Sequence, residues 1–330
     1  MPNGRAWETY PLPADLPPLV VNDADWPVVS IVTPSFNQAQ FIRHTIESVL
    51  SQDYPNIEYW VMDGGSTDGT LAILDDYRDD LHFHWLSEKD TGQSDAINKG
   101  WRRCRGEIVA WLNSDDTYLP GALRSQVEFL RQHPDVDLVY SDCIFTDAAG
   151  NPVETGYGRP FSIRELLHFT IPQQPTVFLT RKAMLAAGPL DVAFHHSLDS
   201  EYWLRLYACG FRLAYNPGAV ATYRWHGASK TGVSHRQAYA DWAKLIERYA
   251  PAEERTRALA DLKLAVALDE ARFGSIRRSL ALAAQATRLR PTPRLGLYAA
   301  ALLDRGLGSS FYLRLAGYWA KRQSTGRSQP

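Results

Sequence analysis

Two carboxylates side by side after a short apolar run are the first residues in this chain that could do chemistry. The segment Asn113-Ser114-Asp115-Asp116 follows the stretch 108–112 (IVAWL). Adjacent carboxylates repel each other, and a divalent cation shared with a phosphate relieves that repulsion. Hard cations such as Mg²⁺ and Mn²⁺ prefer oxygen ligands and commonly bind one or two carboxylates plus substrate phosphates. Asp115 and Asp116 are therefore candidate metal ligands; the alternative is a cap on the helix that starts near Pro120. Asp63 ends a second apolar run, 57–62, and opens the glycine turn 63–70 (DGGSTDGT). Such a turn lets a ligand approach the backbone, and Asp63 could offer its carboxylate to a base or a ribose. Asp68 reads as a helix cap. The turn lacks the alternating acids and terminal Glu of a calcium loop, and no G-x-G-x-x-G follows a strand. Asp95 and Asn98, three apart, share a helix face. Lys99 beside them could reach a phosphate, or could simply be solvated.

The elements that must position these groups follow from periodicity. Short β-branched or apolar runs at 28–33, 57–62, 81–86 and 108–112 read as strands, and apolar residues at helical spacing over 39–51, 71–77 and 94–103 read as helices. Strand and helix in alternation with short loops predict a mostly parallel sheet with helices on both faces. Ligands of such sheets sit beyond the carboxyl ends of the strands. The polar clusters at 34–37, 63–67, 87–95 and 113–116 all fall there. Further strands are expected at 137–141, 177–180 and 213–220, with a helix at 200–209. Beyond about residue 235 the pattern is wholly helical through 315.

Composition bounds the rest. At 330 residues with 45% apolar and 22% charged residues, the chain is long enough for a large domain and an appendage. Three widely spaced cysteines, Cys104, Cys143 and Cys209, argue against a disulfide framework or a zinc knuckle. No basic start followed by an apolar run suggests a secretory signal, and no apolar stretch reaches ~18 residues. The expectation is a cytoplasmic protein, soluble or peripheral on the inner face of the membrane. From residue 271 onward Asp304 is the one acid, against eleven Arg and Lys residues. That basic tail suggests a polyanion or an anionic membrane surface as partner, or else a solvated helix face.

Read in order, these pieces resemble the family 2 glycosyltransferases: Thr33-Pro34-Ser35-Phe36-Asn37, Ser48-Val49-Leu50-Ser51-Gln52, Asp63…Ser66-Thr67-Asp68-Gly69-Thr70, Asp95-Ala96-Ile97-Asn98-Lys99-Gly100, and Gly106-Glu107-Ile108…Leu112-Asn113-Ser114-Asp115-Asp116. The likeness covers roughly residues 28–230. It implies a GT-A type fold, an α/β class with a mostly parallel sheet and helices on both faces, followed here by a helical C-terminal region. It implies a glycosyltransferase domain at 28–234 (nucleotide-binding half 28–120, acceptor half 121–234); by composition and periodicity, the Pro-rich, aperiodic 1–27 reads as an irregular arm, 235–322 as a helical region and 323–330 as a disordered tail.

The resemblance also implies roles. Pro34, Phe36 and Asp63 match positions that hold the nucleoside, while Asp95, Lys99, Asp115 and His226 fall on the nucleotide-sugar side. Asp115 and Asp116 match the carboxylates of the D-x-D type that bind Mn or Mg and the diphosphate; Asn113 stands at that motif's usual first acid. Gly64 departs from the Asp-Asp-Gly-Ser that most relatives carry. The segment 198–206 (LDSEYWLRL) places Asp199 at the catalytic base, with Glu201 as the nearby alternative; acids at a helix N-terminus also suit its dipole. Gln173-Gln174-Pro175-Thr176 matches an acceptor-side loop, and 223–230 (YRWHGASK) resembles a closing loop over the diphosphate. The implied partners are a nucleoside-diphosphate sugar and a saccharide or lipid-linked acceptor, with no nucleic acid. A metal would neutralise the leaving diphosphate as a Lewis acid, and a carboxylate would take the acceptor's proton, giving inversion. Two alternatives are a sugar-nucleotide pyrophosphorylase, which would need a Gly-rich, Arg-bearing loop where Pro34-Ser35-Phe36-Asn37 stands, and a non-catalytic binding module, which would not need Asp199.

Overall fold

The computed structural model describes residues 12–167, 172–227 and 235–290. Its first half builds as the periodicity predicts: β1 (Val29–Ser35), α1 (Ile42–Leu50), β2 (Ile57–Asp63), α2 (Thr70–Asp75), β3 (Phe83–Ser87), α3 (Gln93–Trp101) and β4 (Ile108–Trp111). Then follow β5 (Thr117–Tyr118), α4 (Ala122–Gln132), β6 (Leu138–Thr146), β7 (Pro152–Gly156), α5 (Ile163–Leu167), β8 (Phe178–Thr180), α6 (Arg181–Ala187), α7 (Leu198–Ala208) and β9 (Leu213–Arg224). The sheet order is β3-β2-β1-β4-β8-β6-β9-β5, with β7 paired to β6. The four strands β3-β2-β1-β4 are parallel. Beyond β4 the sheet is mixed: β8 runs antiparallel to β4 and β6, whereas β9 runs parallel to β6.

Every residue of β1, β2 and β4 is buried, as a parallel strand covered on both faces requires. Val29 and Ile31 of β1 pack with Ile42, Ile46 and Val49 of α1 and with Leu123 and Val127 of α4. The other face takes α3. A Cβ added to Gly100 would come within 2.4 Å of Val32 Cγ1, so glycine sets how closely α3 approaches the sheet. Trp101 on α3, Trp111 at the end of β4, and Tyr202 and Trp203 on α7 form a fully buried aromatic cluster on that side.

Buried ionic contacts hold the frame away from the cleft. Glu58 on β2 accepts from Arg105 Nε at 2.7 Å and from the Ser30 hydroxyl at 2.5 Å. On α7, Arg205 donates Nε to Glu201 Oε1 (3.1 Å) and Nη2 to Oε2 (2.5 Å), and its Nη1 reaches the Ala187 and Pro189 carbonyls.

A second compact unit begins at residue 235. Its described helices are α8 (His235–Tyr249), α9 (Ala252–Phe273) and α10 (Ile276–Leu289). Leu280, Leu282, Ala283, Ala286 and Leu289 fall close to one stripe of α10, and part of that stripe is used, against α9. Ala283 and Ala286 pack on Leu264, Ala267 and Ala271 of α9 with Leu282 beside them, and Ser279 Oγ donates to the Ala267 carbonyl at 2.7 Å. Leu280 and Leu289 remain 52% and 40% exposed. The alanines let the two helices approach closely, with Leu264 and Leu282 filling the sides of the contact. The expected tail at 323–330 and the helix beyond 290 lie outside the described residues.

Candidate active site

The carboxyl ends of β1 and β4 and the loop after β3 open onto a cleft of about 420 Å³ in the first unit. Pro34 and Phe36 come from the end of β1, Asn113 to Asp116 from the loop after β4, and Asp199 from the first turn of α7. Tyr223 and His226 come from the end of β9 and the residues after it. Phe36 is 59% exposed, an apolar ring facing water on the cleft wall.

The loop after β4 is held from three sides. Behind it, the Thr45 hydroxyl on α1 lies 2.9 Å from the Ser114 carbonyl and 2.8 Å from that of Asp116. From β9, Arg224 donates its backbone N–H to Asp116 Oδ1 at 2.9 Å and its Nε to the Asp115 carbonyl at 2.9 Å. Asn113 sits at the centre of an amide chain. Its Oδ1 accepts from Gln93 Nε2 (2.7 Å), and its Nδ2 donates to Gln174 Oε1 (2.9 Å) and to Asp116 Oδ2 (3.2 Å). Gln174, in the short 3-10 turn Gln174–Thr176, passes the chain on to the Trp111 carbonyl at 2.8 Å.

These anchors separate the two acids. Asp115 Oδ2 faces His226 Nε2 at 2.9 Å, and His226 packs on Phe41 in a tilted arrangement with ring centroids 4.7 Å apart. Asp116 is 1% exposed, and each of its oxygens accepts an internal hydrogen bond. Burial, and after it the charge of Asp115, push the Asp116 carboxyl well above the usual carboxylate range. This differs from the expectation of two acids sharing one cation: Asp115 pairs with His226, and Asp116 ties the loop to β9. Among the described residues no group of three or more His, Cys, Asp or Glu side chains forms a metal cage. The carboxylate oxygen of Asp115 suits Mn²⁺ or Mg²⁺, and the imidazole nitrogen of His226 beside it favours the softer Mn²⁺ of the two.

Asp199 lines the cleft half-buried. Its Oδ1 accepts from the Ser200 N–H at 2.7 Å and the Ser200 hydroxyl at 3.3 Å; among the described residues Oδ2 accepts nothing. Burial pushes its carboxyl up, and the Ser200 donors offset this only in part. Asn98 on α3 clamps the chain leading to α7: Nδ2 donates to the Leu190 carbonyl (2.9 Å) and Oδ1 accepts the Leu190 N–H (2.8 Å).

Four expected site residues are not brought into the cleft. Asp63 is 2% exposed, and its oxygens accept from the Gly65 and Ser66 N–H groups and the Ser66 and Ser87 hydroxyls. Its carboxylate shapes the turn rather than meeting a base or ribose. Lys99 Nζ binds Glu88 Oε1 at 3.0 Å and the Lys89 carbonyl at 2.8 Å, with Asp95 Oδ2 at 3.6 Å. Asp95 itself accepts the Thr91 N–H at 3.1 Å. Lys99 and Asp95 therefore pin the loop after β3 and do not reach toward a phosphate. Glu201 is wholly buried, and Arg205 holds both oxygens of its carboxylate away from the cleft lining. Lys230 lies outside the described residues. Reading the sequence alone missed Asp90, His195 and His196, which line the cleft from loops without a motif of their own.

The fate of Glu201 makes a stability prediction. Removing one partner of a buried ion pair costs about 3–5 kcal/mol because the other charge stays buried and uncompensated. Glu201→Gln should lower the urea midpoint accordingly, while folded enzyme keeps turnover within about tenfold. A variant with unchanged stability and a turnover loss as large as that of Asp199→Asn would move the base to Glu201.

Comparison with known proteins bears on the family and the fold. The sequence pattern of "Glycosyl transferase family 2" matches residues 30–184. The Bacillus subtilis (strain 168) glycosyltransferase TuaG, named for teichuronic acid biosynthesis, is 30% identical over 236 residues, 64% of this chain and 88% of TuaG. The chain belongs to glycosyl transferase family 2. Escherichia coli chondroitin synthase is also 30% identical, over 185 residues, and there the match spans 56% of this chain but only 27% of the longer protein. Among solved structures, S. aureus TarS in complex with UDP-GlcNAc superposes with a TM-score of 0.60 at 16% identity, over 84% of this chain and 89% of that one. The Pyrobaculum calidifontis mannosyltransferase PcManGT, in complex with GDP-Man and Mn²⁺, gives 0.54 at 20% identity, over 91% and 90%. At these identities the likeness establishes the GT-A fold.

Proposed function

We propose that this family 2 chain is an inverting transferase that moves a sugar from a nucleoside diphosphate to an acceptor hydroxyl, in the assembly of a surface polysaccharide or glycoconjugate. The observation that carries this reading is Asp199 Oδ2, which accepts no hydrogen bond from the described residues, in the same cleft as the Asp115–His226 pair. Phe36 and Pro34 take the nucleoside against the end of β1. Asp115 and His226 are the residues that would hold a divalent cation, and that cation would supply Lewis-acid neutralisation of the leaving diphosphate. Asp199 accepts the proton of the attacking hydroxyl at Oδ2 while Ser200 fixes Oδ1. Asn113, Gln174, Arg224 and Thr45 keep the loop of Asp115 rigid, so that little reorganisation is needed when charge develops. Asp116 supports that loop.

TuaG, named for teichuronic acid biosynthesis, and chondroitin synthase both point to polymer assembly as the setting. A thermal-shift screen over UDP-, GDP- and dTDP-sugars tests donor binding. One class of donor should raise the melting temperature with Mn²⁺ present, and less with EDTA. No shift with any of them would contradict the proposal.

The basic segment 271–330 suits an anionic membrane that presents a lipid-linked acceptor. Each basic residue near such a surface adds about 1 kcal/mol, and salt weakens it. No described helix is long and apolar enough to cross a membrane. Liposome sedimentation should show binding that grows with anionic lipid, falls with salt, and is lost when 271–330 is deleted. Equal binding to neutral and anionic vesicles, or none to either, would leave the segment a packing element.

A further inference from the structure

The space beside Gly64 is taken by a carboxylate and a ring. Gly64 follows β2 directly, and its N–H donates to the Ser35 carbonyl at 2.8 Å. A Cβ added there would lie 2.6 Å from Asp90 Oδ2, 3.2 Å from Asp90 Cγ and 3.4 Å from Phe36 Cδ2. Glycine at this position is what lets the Asp90 carboxylate lie against the backbone next to Phe36, and both side chains line the cleft.

Asp90 is oriented. Its Oδ1 accepts the Gly92 N–H at 2.8 Å. Gly92 has φ 120°, a backbone state that side chains disfavour, so the turn needs glycine there. The loop on either side of Asp90 is fastened to α3 by Lys99, through Glu88 and the Lys89 carbonyl, and by Asp95 through the Thr91 N–H. Asp90 Oδ2, the oxygen over Gly64, accepts no hydrogen bond from the described residues. A water-facing aromatic ring beside a fixed carboxylate oxygen suits a flat heterocycle: the ring offers a stacking face, and the oxygen demands an N–H at the heterocycle's edge.

We propose that Asp90 reads the nucleobase of the donor, its Oδ2 accepting the ring imino N–H of a base stacked on Phe36. Uracil and thymine present that proton at N3 and guanine presents it at N1. Cytosine and adenine have a bare nitrogen lone pair at that ring position, which a carboxylate oxygen repels, so they meet Oδ2 only through the exocyclic amino N–H beside it, in a shifted pose. The site therefore favours imino-bearing nucleotides over the other two. This inference rests on the donor-binding reading above and adds its specificity.

Calorimetric titration of the full chain with UDP, dTDP, GDP, CDP and ADP, each with Mn²⁺, tests it. At least one of the first three should bind about 10- to 100-fold tighter than CDP and ADP, the range expected of a hydrogen bond to a charged group. The arms with UDP, dTDP and GDP distinguish which base it is. Asp90→Asn, whose amide can also donate, should shrink the preference over CDP to less than about threefold. Gly64→Ala should act in the same direction while leaving Asp90 in the sequence, because the new methyl displaces Oδ2. Its backbone is outside the left-handed region, so the variant is expected to fold. Two folded variants that keep the wild-type preference, or that weaken all five nucleotides equally, would overturn the inference, as would a wild type that binds CDP or ADP as tightly as the rest. Wild-type protein that binds no nucleotide at all would instead overturn the donor-binding reading beneath it.

Discussion

Asp199→Asn is expected to reduce turnover by roughly 10²–10⁴-fold, the usual worth of general-base assistance, with donor affinity nearly unchanged. The substitution removes the proton acceptor but keeps an oxygen for the Ser200 N–H and hydroxyl that Oδ1 now receives. Burial raises the Asp199 carboxyl above the ordinary range, and this has two consequences of known sign. Only the ionised form accepts a proton, so turnover should rise with pH along a limb displaced upward from that of an exposed aspartate, and the variant should lose this limb. A carboxyl raised in the folded state is penalised on ionising there, so it opposes folding above its folded value and ceases to do so below its unfolded value. The Asn variant should consequently be as stable as the parent or more so at neutral pH, with the difference vanishing in acid. Lost activity together with lost stability would mark Asp199 as structural.

Asp115→Asn is the second large effect. Lewis-acid stabilisation of a leaving phosphate is worth several kcal/mol, so turnover should fall by roughly 10²–10³-fold. Asp115 Oδ2 faces His226 Nε2 in the cleft, and the variant leaves the imidazole without its anionic partner. Donor affinity in Mn²⁺ should then drop to the level the parent has in EDTA. Asp116→Asn should behave differently, because Asp116 is buried and bonded to Arg224 and Asn113. Its main cost is expected in stability. The metal ligand would have to be reassigned to Asp116 if Asp115→Asn kept the Mn²⁺ dependence of nucleotide binding and a folded Asp116→Asn abolished it.

The parallel half of the fold was legible because burial on both faces writes continuous apolar runs into β1, β2 and β4, and because polar clusters mark the strand ends where ligands collect. Two strands were not. Thr117–Tyr118 is too short to show a period and exists by pairing with Thr222 and Ala221 of β9. Pro152–Gly156 pairs with β6 and is exposed or half-exposed at every position, so no alternation marks it.

At the site, residue type was legible but side-chain direction was not. Asp63, Lys99 and Asp95 sit beside the cleft in sequence and are absorbed by partners that the fold brings to them, from Ser87 to Glu88. Glu201 carried a usable local signal: Arg205 lies four residues on, the spacing of a helical ion pair. Asp90 carried none, since its place depends on the empty space at Gly64, on another loop.

The most direct test uses water as the acceptor. Purified protein is incubated with the nucleotide-sugar that stabilises it best and Mn²⁺, and the anomeric proton of the released sugar is followed by NMR before mutarotation. The expected result is stoichiometric nucleoside diphosphate, a first-formed sugar of opposite anomeric configuration to the donor, and loss of both signals with Asp199→Asn. A product that keeps the donor's configuration, or an undiminished rate with Asp199→Asn, would contradict an inverting transferase whose base is Asp199.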